Sequence, residues 1–123
     1  MTSQVDGAVG AHAHSVQDPL AEIVLFLKEH LGASLVGFIA GADTRNVNRW
    51  ANSEVTPREA AQRRVRAAYQ VYKLLEPYEA PQTIRAWFMG MNPQLDDASP
   101  AEVIAGDRSR DALVAARAFA SGG

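Results

Sequence analysis

The sequence predicts an all-α protein, and three observations support that fold class. Apolar residues recur at helical spacing along several segments, whereas no segment alternates apolar and polar residues as a half-buried strand does. The pairs Asp18-Pro19 and Ser99-Pro100 each place a capping residue directly before a proline, which is typical of a helix start. Gly32 and Gly41 follow apolar periodic segments, where glycine commonly ends a helix. These signals predict an N-terminal helix-turn-helix module followed by a small helical module.

The composition is that of an ordinary globular protein. With 123 residues, 47% of them hydrophobic and 21% charged, the chain can form one compact domain or two small modules sharing a core. No apolar run approaches the ~20 residues that span a bilayer. Residues 1–17 lack the features of a secretory signal and predict a disordered tail. Since cysteine is also absent, we expect a cytoplasmic protein without membrane partners.

The predicted N-terminal module, residues 18–76, contains four helices. The first runs from Asp18-Pro19 to Leu31, and a short pair follows at about 33–40 and 44–52, hinged at Gly41. Residues 56–59 read as a capping box that opens a long helix ending near Leu75. The expected buried stripe of that helix consists of Ala61, Val65, Ala68, Tyr72 and Leu75.

The predicted C-terminal module, residues 77–123, contains three shorter helices. The first begins at Pro81, carries Ile84, Trp87, Phe88 and Met91 on an apolar face, and ends at Asn92-Pro93. A capping box at residues 99–102 starts the second, and Gly106 ends it. The last helix covers about 109–120, with Leu113, Ala116 and Phe119 facing inward.

The short helix pair meets the three sequence requirements of a helix-turn-helix. Gly37 supplies the small residue where the helices cross, and Gly41 tolerates the left-handed backbone of the turn. Asp43 can cap the second helix, which Val47 and Trp50 anchor to the core. The outward residues of that second helix are then Thr44, Arg45, Asn46, Asn48 and Arg49. A helical hairpin without DNA affinity is the competing interpretation.

The charge distribution favours a nucleic-acid face. Between Thr44 and Lys73, seven basic residues against two acids leave a net charge of +5, although the whole chain carries −2. We expect Thr44, Arg45 and Asn46 to contact base edges, with Asn48 and Arg49 shared between bases and phosphates. The expected phosphate contacts are Arg58, Arg63, Arg64 and Arg66. A solvated helix surface is the alternative explanation of this charge.

A second motif lies at residues 92–104, Asn-Pro-Gln-Leu-Asp-Asp-Ala-Ser-Pro-Ala-Glu-Val-Ile. It resembles the signature Asn-Pro-x-Leu-x-Gly-x-(Ser/Thr)-Pro-x-Glu of the toxin-binding domain in Xre/MbcA/ParS-type antitoxins. Residues 84–88 resemble the aromatic-ended helix of that domain, and with the helix-turn-helix the similarity extends over about 20–123. Asp97 departs from the pattern by standing where the family usually has glycine. If that position is left-handed, aspartate is among the less costly replacements.

The resemblance implies the antitoxin half of a type II toxin–antitoxin pair. Its partner would be a RES-domain toxin that degrades NAD, neutralised when the C-terminal module covers the active site. The helix-turn-helix would bind operator DNA and repress the antitoxin's own operon, and homodimers or larger toxin–antitoxin assemblies are typical. The implied plug is the segment 117–123. The implied toxin-binding residues are Trp87, Asn92, Pro93, Leu95, Arg117, Phe119, Ala120, Ser121, Gly122 and Gly123.

The sequence does not predict an enzyme, because no catalytic residues, cofactor motif or metal-ligand spacing is recognisable in it. Asp107 and Asp111, four residues apart, are interpreted as helix-capping residues. Two alternatives to an antitoxin stay open: a stand-alone helix-turn-helix transcriptional regulator, and a protein-binding module that has lost DNA affinity.

Overall fold

The computed structural model describes residues 18–122, and every regular element in this part of the chain is a helix, which confirms the predicted fold class. The predicted tail at 1–17 and the terminal Gly123 lie outside the described residues. The helices, in chain order, are α1 (Pro19–Leu31), α2 (Ala33–Ala40), α3 (Thr44–Ala51), α4 (Glu59–Leu75), α5 (Pro81–Met89), α6 (Pro100–Ala105) and α7 (Ser109–Ala120). A single 3-10 turn (Pro93–Leu95) lies between α5 and α6.

Helix α1 begins and ends as the sequence predicts. The Asp18 carboxylate accepts a hydrogen bond from the backbone N–H of Ala21 at 3.1 Å, and Pro19 occupies the first helical position. The helix stops at Gly32, whose φ of 89° is readily adopted only by glycine. The apolar face of the helix is buried in the core at Leu20, Val24, Leu27 and Leu31, and Ile23 is partly buried against it.

The start of α4 differs from the prediction, since the expected capping box at residues 56–59 is absent. The helix begins at Glu59 rather than at Pro57, and its N-cap residue Arg58 makes no side-chain capping bond. Pro57 is buried, so the chain stays extended through Arg58, whose ψ is 160°. The Gln62 side chain donates instead to the Pro57 carbonyl at 2.8 Å. The predicted buried stripe of α4 is nevertheless confirmed.

The capping box that starts α6 is present in full. The Ser99 hydroxyl accepts from the backbone N–H of Glu102 at 3.1 Å, and a Glu102 carboxylate oxygen accepts from the Ser99 N–H at 2.8 Å. Upstream, α5 ends at Met89, three residues before the Asn92 at which the sequence predicts its end. Met91 therefore lies outside the helix and is 77% exposed.

One hydrophobic core runs through both predicted modules. Helix α4 packs against α1 and α2 on one side and against α6 and α7 on the other, and α2 also contacts α6. The boundary between 18–76 and 77–123 stays a prediction, because buried side chains from both sides of it form a single cluster. Within residues 18–122, no helix combines the length and apolar character that crossing a bilayer requires.

Candidate functional site

Two short helices, α2 and α3, meet at a turn whose geometry depends on two glycines. Gly41 adopts a left-handed conformation, with φ of 81° and ψ of 37°, and ends α2. At Gly37, an added Cβ would lie 2.5 Å from the carbonyl oxygen of Ala42, so a side chain there would collide with the backbone of the turn. The Gly37 carbonyl accepts hydrogen bonds from the N–H groups of Gly41 and Ala42, each at 2.8 Å. The predicted roles of both glycines are confirmed.

Helix α3 is capped and anchored as expected. The Asp43 carboxylate accepts a hydrogen bond from the Asn46 backbone N–H at 2.9 Å, which satisfies a donor of the first turn. Val47 and Trp50 are buried, and they hold the helix against the core. We name α2, the turn and α3 the helix pair, and its position beside α4 leaves the outer side of α3 uncovered.

The outward residues of α3 differ in how available they are. Thr44 and Arg45 are exposed, whereas Asn46, Asn48 and Arg49 are partly buried. The Oδ1 atom of Asn48 is buried and has no hydrogen-bond partner among the described residues. A loose ion pair joins Arg49 to Glu54, with 3.8 Å between the nearest nitrogen and oxygen. Thr44 and Arg45 are therefore the side chains of α3 most open to a ligand.

A cleft of about 590 Å³ separates α3 from the start of α4. Its polar lining comes from both elements and includes Asn46, Arg49, Thr56, Arg58 and Arg64. Three arginines along one cleft give it a positive character that suits an anionic polymer. The side chains of Arg45 and Arg58 form no ion pair or hydrogen bond within residues 18–122, so both guanidinium groups are available.

The three arginines of α4 fall into two groups, one facing away from the cleft and the other bound to a carboxylate. Arg66 is exposed and lies about 200° around the helix from Arg64, away from the cleft. Arg63 and Arg64 both bind Asp107, in the turn between α6 and α7, at 3.2 Å and 3.0 Å. The interpretation of Asp107 as a capping residue is therefore wrong, because its carboxylate faces α4. Hydrogen bonds from Arg64 and, secondarily, Arg63 lower the pKa of Asp107 below its ordinary value.

The C-terminal half carries a second surface feature, which we name the aromatic groove. It has a volume of about 400 Å³ and lies between the end of α5, the 3-10 turn and α7. Trp87 and Phe119 form its aromatic side, with their ring centroids 6.0 Å apart. The structure thus brings together four of the predicted toxin-binding residues, and the full lining is Trp87, Met91, Asn92, Pro93, Gln94, Ala115 and Phe119.

The loop below the aromatic groove is held by its own hydrogen bonds and by one buried side chain. The Asn92 side chain accepts from the Gln94 N–H at 2.9 Å, and the Asn92 carbonyl accepts from the Asp97 N–H at 2.9 Å. Leu95 is only 4% exposed, so it packs in the core rather than at a contact surface. Asp96 and Asp97 both have left-handed backbones, with φ of 55° and 68°. Asp97 therefore adopts the conformation that explains glycine at this signature position.

The predicted plug is largely part of α7. Arg117 is exposed, Phe119 and Ala120 are partly buried, and the helix ends at Ala120. The Ser121 hydroxyl donates to the Arg117 carbonyl at 2.9 Å and closes the last turn, while Gly122 follows with φ of 86°. The last predicted plug residue, Gly123, is outside the described residues.

Sequence reasoning missed several residues of both surfaces. Met91, Gln94 and Ala115 line the aromatic groove, and Met91 is the most exposed large apolar side chain of the described chain. The sequence pattern assigns Met91 to the apolar face of α5, whereas the helix ends at Met89 and leaves this side chain exposed. Asp107 could not be identified from sequence as a partner of α4, because they are more than forty residues apart.

Comparisons with known proteins gave one solved structure as a match. No protein-family model matches this sequence, and no curated protein matches it. The chain is similar to a chain in the crystal structure of the M. tuberculosis MbcT–MbcA toxin–antitoxin complex, with 27% sequence identity and a TM-score of 0.73. The alignment covers 84% of this chain and 95% of that chain.

The all-helical architecture of this protein is therefore shared with a chain of a toxin–antitoxin complex. More specifically, this structural similarity confirms the predicted resemblance to the Xre/MbcA/ParS-type antitoxins.

Proposed function

We propose that this protein is the antitoxin of a type II toxin–antitoxin pair and neutralises a RES-domain toxin by binding over its active site. The observation that carries the proposal is the structural similarity to a chain of a toxin–antitoxin complex, which extends over 95% of that chain. The signature residues Asn92 and Pro93 line the aromatic groove, so the motif and the surface agree. In this account the protein acts by obstruction and is not an enzyme.

The aromatic groove is the proposed toxin contact because of the side chains that line it. Aromatic residues near the centre of an interface commonly dominate its binding energy, and Trp87 and Phe119 are the two aromatic residues here. Met91 adds a flexible apolar side chain that can adapt to a partner. Arg117 and Ala120–Gly122 continue α7 beyond the groove as the proposed plug, whereas the proposed contacts leave out the buried Leu95.

Growth rescue tests the proposed toxin contact. A RES-domain toxin encoded beside this chain would be expressed in a bacterial host with wild-type protein, the Phe119→Ala variant or the Val114→Ala control. Val114 is also on α7 but is 53% exposed and does not line the groove. We expect wild-type protein and the control to restore growth, and Phe119→Ala to weaken binding by a hot-spot amount of ~2 kcal/mol, about 30-fold. Equal rescue by both variants would exclude the groove as the contact, provided both unfold at similar temperatures.

We further propose that the helix pair is a helix-turn-helix that binds operator DNA and represses the protein's own operon. The support is the exposed outer side of α3 next to a cleft with three arginines. Thr44 and Arg45 would enter the major groove, with Asn46 and Asn48 nearer its edge. Arg49 and Arg58 would bind phosphates, and a homodimer would present two such helices to successive turns of DNA.

The salt dependence of DNA binding tests this second activity. Three arginines that are not bound to Asp107 are placed to contact DNA (Arg45, Arg49 and Arg58), so the affinity should fall with salt at a log–log slope of about −2.7 per chain. Arg58→Ala should make the slope shallower by about 0.9. The matched control is Arg66→Ala, which removes the same charge from a residue facing away from the cleft. Salt-insensitive binding, or equal effects of both variants, would contradict the proposed DNA face.

The second candidate function is a stand-alone transcriptional regulator without a toxin. The uncovered outer side of α3 favours DNA binding whether or not a toxin exists. A neighbouring gene product that neither inhibits growth nor binds this chain, combined with salt-sensitive DNA binding, would favour the regulator.

A further inference from the structure

The C-terminal module supplies a carboxylate to the basic side of α4. Asp107 lies in the turn between α6 and α7, yet its two oxygens accept hydrogen bonds from two consecutive arginines of α4. Arg64 Nε and Nη2 donate at 3.1 Å and 3.0 Å, and Arg63 Nη2 donates at 3.2 Å. This is a paired, two-oxygen contact, which is the stronger geometry for an arginine and a carboxylate.

The same arginine reaches the turn of the helix pair. Arg64 Nη1 donates to the Ala40 carbonyl at 3.1 Å, and Ala40 is the last residue of α2. Arg64 also lines the cleft together with Asn46 and Arg49. One side chain therefore contacts the turn, the proposed DNA cleft and a carboxylate of the C-terminal module.

The backbone at Asp107 suits this arrangement and limits which residues can replace it. Its φ of 63° is left-handed, a conformation that aspartate and asparagine adopt more easily than most other residues. The Asp107 carboxylate is 41% exposed, so its contact with the two arginines is open to solvent and to an approaching phosphate group. The contact is consequently one that an incoming anion can replace.

We propose that Asp107 acts as an internal competitor of DNA, occupying Arg63 and Arg64 so that a backbone phosphate must displace it. The proposal rests on the proposed DNA-binding function and adds a residue that limits the affinity for DNA. A carboxylate and a phosphate group each present two acceptor oxygens to a guanidinium group, so both can bind it in the same bidentate way. In the free protein one carboxylate offsets half of the positive charge of the two arginines, and DNA gains their full charge only by breaking both ion pairs.

The expected size of the effect follows from what exposed ion pairs contribute. An exposed pair typically changes an equilibrium constant by a factor of about 1.4 to 5, so two pairs correspond to about 2- to 30-fold. Asp107→Asn should therefore bind DNA about 2- to 30-fold more tightly than wild type. Its salt slope should become steeper by about 0.9 for each arginine that now meets a phosphate. If Asp107 had only a structural role, Asp107→Asn would leave the salt slope unchanged.

The matched control is Asp111→Asn. It changes the net charge by the same amount, four residues further along the chain, but Asp111 pairs with Arg108 and not with α4. Binding would be measured by fluorescence anisotropy on a short labelled DNA duplex of arbitrary sequence, between about 50 and 200 mM salt, because phosphate contacts also govern non-specific binding. Asp107→Gly, which suits the left-handed backbone, serves as a second variant if Asp107→Asn does not fold.

The outcomes separate the two proposals. A steeper slope and tighter binding for Asp107→Asn or Asp107→Gly, but not for Asp111→Asn, supports the competitor role. Salt-sensitive binding by wild type with no difference between the Asp107 and Asp111 variants overturns the competitor role alone. An absence of DNA binding in wild type and all variants overturns the DNA-binding function and the competitor role with it.

Discussion

Gly37→Ala is a small substitution that the geometry of the helix pair should not tolerate. The added Cβ would lie 2.5 Å from the Ala42 carbonyl oxygen, well inside the separation that two such atoms accept. The opposing atom belongs to the backbone of the turn, so it cannot move aside as the end of a flexible side chain could. The turn is held by the Gly41 and Ala42 N–H groups, which both donate to the Gly37 carbonyl at 2.8 Å.

The expected change in the free energy of unfolding of Gly37→Ala combines two opposing contributions. Overpacking a well-packed site costs ~1–3 kcal/mol, and contact with a rigid backbone atom places Gly37 near the upper end. Alanine regains up to ~1 kcal/mol over glycine inside a helix. The free energy of unfolding should therefore fall by ~2 kcal/mol. At roughly 4 °C per kcal/mol for a domain of this size, Tm should fall by about 8 °C.

Thermal unfolding followed by circular dichroism measures this change, with Gly106→Ala as the matched control. At Gly106 an added Cβ would lie 3.4 Å from its nearest neighbour, the Glu102 carbonyl oxygen, and the backbone has a negative φ of −86°. Alanine at such a compatible position should leave stability unchanged or raise it by up to ~1 kcal/mol. If Gly37→Ala melts at or above the temperature of Gly106→Ala, the close contact between Gly37 and the backbone of Ala42 is wrong.

Three further predictions concern single residues. Arg45→Ala should weaken operator binding by roughly 1–3 kcal/mol. Because Arg45 is exposed, the free energy of unfolding should change by no more than ~0.5 kcal/mol. A variant that unfolds would contradict the exposed position of Arg45 on α3. Ser99→Ala should lower the free energy of unfolding by ~1 kcal/mol, because the capping box of α6 loses an acceptor; an unchanged urea midpoint would refute the role of the cap. Asp97→Gly should raise stability by up to ~1 kcal/mol by relieving a left-handed backbone at φ of 68°, and a lower Tm would show that the aspartate side chain contributes more than the strain costs.

The helix pair could be predicted in detail because its determinants are local. Gly37, Gly41 and Asp43 each act on atoms within five residues along the chain, so residue type and spacing are sufficient. The same holds for the capping box at Ser99 and Glu102, where two side chains bond to each other's backbone. Sequence patterns describe such short-range geometry well.

The features that the sequence did not predict depend on tertiary contacts. The pattern at residues 56–59 satisfied the rule for a capping box, but burial of Pro57 keeps the chain extended and moves the helix start to Glu59. Asp107 is four residues before Asp111, which suggested helix capping, whereas its partners are on α4. The cleft and the aromatic groove each combine residues from separate elements, and no local pattern encodes their proximity.

The central claim, neutralisation of a partner toxin, is tested most directly by NAD consumption. A purified RES-domain toxin encoded beside this chain would be incubated with NAD and increasing amounts of the purified protein, and the remaining NAD would be measured. We expect NAD loss to stop once the protein is in excess, and Phe119→Ala to require a markedly higher concentration than Val114→Ala. Undiminished NAD loss at saturating protein, with the protein folded and the toxin active, would contradict the antitoxin function.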